Sequence, residues 1–131
     1  MGESFLMKIR IYYEDTDTGG IVYHTNYLKY CERARSELFF SKGLVPFDGE
    51  NSGFVVRKIE ANFLGFAKLG DIVEIKTSIL KLKKVSIILK QQIFKEEKEI
   101  FNANITLAFI KNSKLSKIPK EFLKIFEILE K

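Results

Sequence analysis

Apolar and polar residues change their spacing several times along the chain, and each change marks an element. From Lys8 to Glu14, Ile9, Ile11 and Tyr13 alternate with Lys8, Arg10 and Tyr12, the period of two that predicts a strand. Asp15-Thr16-Asp17-Thr18-Gly19-Gly20 follows, polar and glycine-rich, and continues neither a strand nor a helix. From about Thr25 to Lys42 the spacing lengthens to that of a helix. Tyr27, Tyr30, Cys31, Ala34 and Leu38 share one stripe, with Leu28 and Phe39 on its shoulder and Lys29, Glu32, Arg33, Ser36 and Glu37 opposite. Gly43 is placed to stop it. Phe40 falls on the polar side, so that face is expected to meet another element or subunit.

Beyond a loop containing Pro46, Asp48-Gly49 and Ser52-Gly53, the pattern returns to strands: Phe54 to Phe63, then Ile72 to about Leu82 after a Gly70-Asp71 turn. Val85 to Phe94 and Ile100 to Ile110 are joined by Lys95-Glu96-Glu97-Lys98, a charged link suited to an antiparallel hairpin. Pro119 stands where a last helix would begin, and Phe122, Leu123, Ile125, Phe126 and Leu129 recur at helical spacing. The order is strand, long helix, four strands, short helix, without repeats or a linker. It predicts a single α+β domain in which an antiparallel sheet covers one long helix. Such a sheet leaves edges that must be paired, so a dimer is expected.

Composition narrows the partners. The chain has 131 residues, 46% of them hydrophobic, enough for one ordinary core. Cys31 is the only cysteine and has no partner for a disulfide. The N-terminal stretch lacks the pattern of a secretory signal, and no apolar run approaches a transmembrane span, so the cytoplasm is the expected location. Met7 is a second candidate start, which would make residues 1–6 an added extension. The net charge is +5, but zinc-finger spacing, RNP-like aromatics and an Arg-rich arm are all missing. A phosphate-bearing small molecule suits the charge as well as a nucleic acid does, and nucleic acid is not the expected partner.

The chemistry concentrates in Tyr13 to Tyr27, where three acids, two glycines, a histidine and several tyrosines lie between a strand and a helix start. A carboxylate, a His and backbone donors at one turn are the parts that acyl transfer needs. Gly19 and Gly20 let the backbone approach a ligand, and the helix N-terminus offers N–H groups to a developing oxyanion. A metal site is not expected, because one His, one Cys and scattered acids make no ligand spacing.

Y-Y-E-D-T-D-x-G-G-I-V-Y-H-x-N-Y-x-x-Y-x-E-R-A-R, from Tyr12 to Arg35, resembles the signature of the 4-hydroxybenzoyl-CoA thioesterase type of hotdog enzymes. It is most similar to the YbgC branch, encoded near the Tol-Pal envelope system in many bacteria. Phe54-Val55-Val56-Arg57-Lys58 and Leu69-Gly70-Asp71 extend the likeness, which runs from about Lys8 to Ile110. The resemblance implies a sheet wrapped around the long helix, sites at a dimer interface in a homodimer or homotetramer, and no cofactor. It implies hydrolysis of acyl-CoA, with acyl carrier protein as another possible thioester carrier. Asp17 aligns with the catalytic carboxylate, as nucleophile or as base toward water, and Tyr13 and His24 with the polar side chains grouped with it. The His24 N–H aligns with the donor to the thioester carbonyl, and Gly20, Val22, Tyr23 and Tyr27 fall on the substrate-binding stretch. Lys83 and Lys84 fall near paired basic residues that meet CoA phosphates, and Arg57 and Lys58 are further candidates for that role.

Each sharp reading has a bland counterpart. Asp17 can cap a turn, His24 can be structural, and Tyr13 can be a strand residue of the core. Asp15 is expected to be the structural acid, bonding turn amides. Cys31 lies on the apolar stripe about two turns from His24, which favours packing over a Cys–His nucleophile. The charges of Glu32-Arg33-Ala34-Arg35 are read as interface ion pairs or a solvated helix face. The rival functions are an acyl-thioester hydratase or dehydratase and a non-catalytic acyl-thioester binding module.

Overall fold

Residues 4–130 are described by a computed structural model. Strand β1 covers Phe5–Arg10, β2 Ser52–Phe63, β3 Ile72–Leu82, β4 Ser86–Lys95, β5 Lys98–Lys111 and β6 Lys114–Leu115, while the helices are α1, Asn26–Phe40, and α2, Lys120–Glu130. All pairings are antiparallel, in the order β1-β3-β4-β5-β2, with the two-residue β6 attached to β5.

Alternation along the strands sends one set of side chains toward α1. Val73, Ile75 and Thr77 of β3, Ile87, Leu89, Gln91 and Ile93 of β4, and Phe101, Ala103 and Ile105 of β5 are buried against its stripe of Tyr27, Tyr30, Cys31, Ala34 and Leu38. Each large apolar side chain taken fully out of water contributes roughly 1.5–3 kcal/mol, so this layer is the main source of stability. Two bulges bend the sheet around the helix, one in β2 between Val56 and Lys58 and one in β3 between Ile79 and Lys81. At one end α2 closes the core. Phe39 and Phe54 stack with centroids 5.6 Å apart, and Phe109, Phe122 and Phe126 meet them edge-on or tilted.

Three expectations need correction. The first strand ends at Arg10 rather than Glu14, because Tyr13–Asp15 form a 3-10 turn in which the Asp15 carboxylate accepts the Tyr12 N–H at 2.8 Å. Tyr13 is therefore not a core strand residue; it is 82% exposed. Arg35 is neither solvated nor in an ion pair of the described residues. It is buried, and its Nη1 donates to Gln91 Oε1 at 2.9 Å. The Gln91 amide in turn donates to the Cys31 carbonyl and to Thr77 Oγ1. Burial lowers the pKa of the Arg35 guanidinium, with the Cys31 thiol and Glu32 acting against that shift. Finally, β6 has no counterpart in the predicted order, being too short to leave a pattern.

Of residues 1–6, expected as an extension, 1–3 lie outside the described residues, whereas Phe5 and Leu6 pair with Thr77 and Lys76. No described helix is long and apolar enough to cross a membrane.

Candidate active site

Asp17 opens a tight hairpin between β1 and α1. Its N–H donates to the Ile21 carbonyl at 2.9 Å, the Gly20 N–H donates to the Asp17 carbonyl at 3.0 Å, and Thr16 bridges Val22 just outside. This is a three-residue loop whose last position must be left-handed, and Gly20 fills it with φ +83°. One carboxylate oxygen of Asp17, Oδ1, accepts the Gly19 N–H at 2.8 Å, which leaves Oδ2 without a protein partner among the described residues. The turn-capping reading of Asp17 is met by one oxygen, and the residue is exposed, with its second oxygen free of the turn.

The hairpin is backed by the loop 64–71. Ile21 bridges Lys68, Val22 N–H donates to the Ala67 carbonyl at 2.9 Å, and Ala67 N–H donates to the Tyr27 hydroxyl at 3.0 Å. Asp71 anchors this loop by accepting the Lys68 N–H at 2.7 Å and pairing with Lys95 at 2.9 Å. Partial burial pushes the Asp71 carboxyl up, but the Lys95 and Lys68 hydrogen bonds, with both charges, hold it below the usual carboxylate range.

On the far side of the hairpin the chain turns into α1. The N–H groups of Asn26, Tyr27 and Leu28 donate to the carbonyls of Tyr23, His24 and Thr25. The first helical donors are thus taken, and the open ones lie just before: among the described residues nothing accepts the N–H of His24 or Thr25. The His24 ring is exposed, 4.7 Å from that of Tyr23 and 6.0 Å from that of Phe63 at the end of β2.

Asp17, Gly20 and His24 thus share one hairpin and the turn that follows it, and Tyr13 and Tyr23 flank that turn on the surface. Val22 and Tyr27, expected at the ligand, are buried, and burial raises the Tyr27 phenol, opposed by the hydrogen bond from Ala67. Tyr12, Tyr13 and Tyr23, on the segments flanking the hairpin, and Phe63, Leu64 and Phe66, at the end of β2 and in the loop that backs the hairpin, are exposed. A groove of about 840 Å³ lies elsewhere, on the outer face of the sheet, and none of the site residues lines it. Cys31 is fully buried and its thiol is pushed up to about 12 by burial, so it cannot act as a nucleophile.

The basic candidates are far from this turn within one chain. Lys83 and Lys84 sit in the β3–β4 turn, whereas the Asp17 hairpin adjoins the segment just before β3 begins. An 11-residue strand separates them, roughly 30 Å at about 3.3 Å per residue. Arg57 is the extra residue of the β2 bulge, six residues and so roughly 20 Å along the strand from Phe63, the residue that His24 faces. Lys58 is paired with Glu60 on the surface at 3.8 Å. Sequence reasoning gave no role to Asn26, whose side chain donates to the Asp15 carbonyl at 2.8 Å, or to the Thr25 N–H. The signal present was an amide residue at the predicted helix start.

An antiparallel sheet curled around one long helix is the hotdog fold. The Thioesterase superfamily profile matches residues 19–101. Over 94% of its length the chain is 42% identical to the acyl-CoA thioesterase YbgC of Helicobacter pylori, all of which is covered. A probable thioesterase from Bartonella henselae is 32% identical, with a TM-score of 0.81 over 88% of this chain and 99% of that one. The 4-hydroxybenzoyl CoA thioesterase of Pseudomonas sp. strain CBS-3, at 21% identity and a TM-score of 0.83 over 94% of this chain and 99% of that one, shares the fold. The chain belongs to the thioesterase superfamily, in its YbgC-like branch.

Proposed function

We propose that this protein hydrolyses acyl-CoA thioesters to a free carboxylic acid and CoA, with Asp17 as the reacting carboxylate. The observation that carries the reading is the pairing of the unengaged Asp17 oxygen with the open N–H groups of His24 and Thr25 at the two sides of one hairpin. Either the Asp17 carboxylate, or a water that hands its proton to Asp17, adds its oxygen to the thioester carbonyl carbon; in the first case water later cleaves the mixed anhydride that remains once the thiolate has left. The carbonyl oxygen gains negative charge and takes the His24 N–H as donor. The C–S bond then breaks. A thiol with a pKa of about 8.5 leaves as thiolate, so a strong general acid is unnecessary. The kinship with acyl-CoA thioesterase YbgC agrees with this chemistry.

The site is assembled by two chains. β2 is a twelve-residue edge with Val55, Val56, Ile59 and Phe63 exposed, and pairing with a second copy removes that liability. Antiparallel pairing sets the Ser52 end of one copy against the Phe63 end of the other. Because Ser52 is level with Lys111, and Ser86 with Ala108, the partner's β3–β4 turn travels with its Ser52 end. Lys83, Lys84, Arg57 and Lys58 of one chain thereby serve the CoA phosphates bound at the Asp17 of the other. Val22 and Tyr27 shape the floor from beneath, while Gly20, Tyr13, Tyr23 and the His24 ring meet the substrate.

Release of free thiol from a panel of short, long and aromatic acyl-CoAs tests the activity. Hydrolysis of at least one class is expected. Binding without thiol release across the panel would leave a binding module, and hydration of an enoyl thioester without thiol release would make the protein a hydratase.

A further inference from the structure

Among the described residues, Asn26 is the one outside the Asp17 hairpin that bonds to both of its flanks. Its main-chain N–H donates to the Tyr23 carbonyl at 2.9 Å, and its side-chain Nδ2 donates to the Asp15 carbonyl at 2.8 Å. Asp15 and Tyr23 are the residues just outside the Thr16–Val22 bridge, and the Tyr23 N–H reaches the same Asp15 oxygen at 3.1 Å. That carbonyl therefore spends both lone pairs on holding the base of the hairpin shut. Asp15 is itself fixed: its carboxylate accepts the Tyr12 N–H and is buried, and burial together with this carboxylate raises the phenol of the fully buried Tyr30. Among the described residues no other α1 side chain makes a well-formed hydrogen bond to the segment 12–22; the Tyr30 hydroxyl lies near the Asp15 carboxylate but falls short of one.

We infer that Asn26 is a positioning residue for thioester hydrolysis, clamping the hairpin that carries Asp17 onto the turn that carries the His24 N–H. This rests on the proposed roles of Asp17 and His24. Those two groups come from opposite sides of the hairpin, and the reaction needs both within reach of one carbonyl. A displacement of about 1 Å at such a constellation costs on the order of 10²-fold in rate, although it leaves substrate contacts elsewhere intact. Asn26 touches neither group. It sets the angle between them, while α1 stays docked through its buried apolar stripe.

The clamp is tested with Asn26→Ala and with Asn26→Asp, which keeps the shape but at neutral pH has no proton to donate. Each is compared with wild type for kcat, KM, Tm and hydrogen exchange at the Asp17 amide, whose N–H bonds the Ile21 carbonyl. The expected result is a kcat lowered about 10–100-fold with KM within about twofold in both variants. Tm should fall only slightly and the Asp17 amide should exchange faster. A kcat within twofold of wild type in either folded variant overturns the inference, as does a collapse of Tm in both, which would make Asn26 merely structural. Asp17→Asn separates the two levels. If it remains active, the reading of the site fails, and the exchange rates alone then decide: faster exchange upholds the clamp and unchanged exchange ends it.

Discussion

At the scale of single residues, Asp17 divides its carboxylate between a turn and open solvent, and replacing it separates the two jobs. Asp17→Asn keeps an oxygen for the Gly19 N–H but loses the charge that, in the proposed reaction, activates water or attacks the thioester. Turnover should fall about 10²–10⁴-fold with the fold retained, and thiol release by a variant checked for deamidation measures it. Asp15→Asn should instead lower stability, since that carboxylate is buried and spends its hydrogen bond on the turn. Cys31 gives a prediction in pH. Its thiol titrates higher in the folded than in the unfolded chain, so folding favours the protonated form. That contribution is full below the unfolded pKa of about 8.5 and declines as pH rises toward the folded value, so alkaline solution erodes stability through this group. At pH 8 a thiol reagent should label Cys31 only as fast as the chain unfolds; rapid labelling of native protein would contradict the burial.

What the sequence reveals at this scale depends on whether a residue's job is local. Asp17, Gly20 and His24 are readable because an acid, a left-handed glycine and a histidine fall within eight residues between two elements. Asp15 is also readable, as an acid facing turn amides. Arg35 is not: its partner Gln91 is 56 positions away, and a charged residue on a helix reads as solvated until the fold brings an amide to it.

At the scale of elements, the turns decide more than the strands. Glu96 and Glu97 both have positive φ, 49° and 67°, in the two-residue β4–β5 turn. That conformation favours Asn-Gly, and a side chain of ordinary type held there costs roughly 1 kcal/mol or more per residue. The double change Glu96→Asn, Glu97→Gly should therefore raise Tm by several degrees without altering activity, as thermal unfolding would show. Gly53 is the opposite case. A Cβ there would collide with the Phe47 main chain and lie 2.6 Å from the Pro46 carbonyl oxygen, so Gly53→Ala should destabilise the β2 start severely. Strands β2 to β5 and both helices follow the apolar spacing to within two residues. The end of β1 does not, because the period of two from Ile9 to Tyr13 carries no sign that Asp15 folds back onto Tyr12.

At the scale of the whole molecule, the proposed site shared between chains makes a prediction that no single protomer can satisfy. Lys83→Ala with Lys84→Ala should raise KM for acyl-CoA by a few-fold to roughly tenfold with kcat nearly intact, and the effect should fade at high salt. Mixed dimers, one chain carrying Asp17→Asn and the other both lysine changes, then report the geometry. Their one working site combines an intact Asp17 with the other chain's intact lysines, so KM should return to the wild-type value at about half the kcat. A KM that stays raised would place the lysines beside their own Asp17. Ile59→Lys, on the open edge of β2, should give monomers by sedimentation and abolish hydrolysis.

The length of β3 has a wider consequence. It holds the acid and the basic rim a strand's length apart, so that in the proposed two-chain site each isolated chain carries two incomplete halves. Catalysis then becomes a property of abundance. Where the protein is scarce relative to its own dissociation constant, active sites form in proportion to the square of its concentration, so halving expression removes more than half of the turnover. The thioester pool would be governed by how often two newly made chains meet as much as by the chemistry each carries.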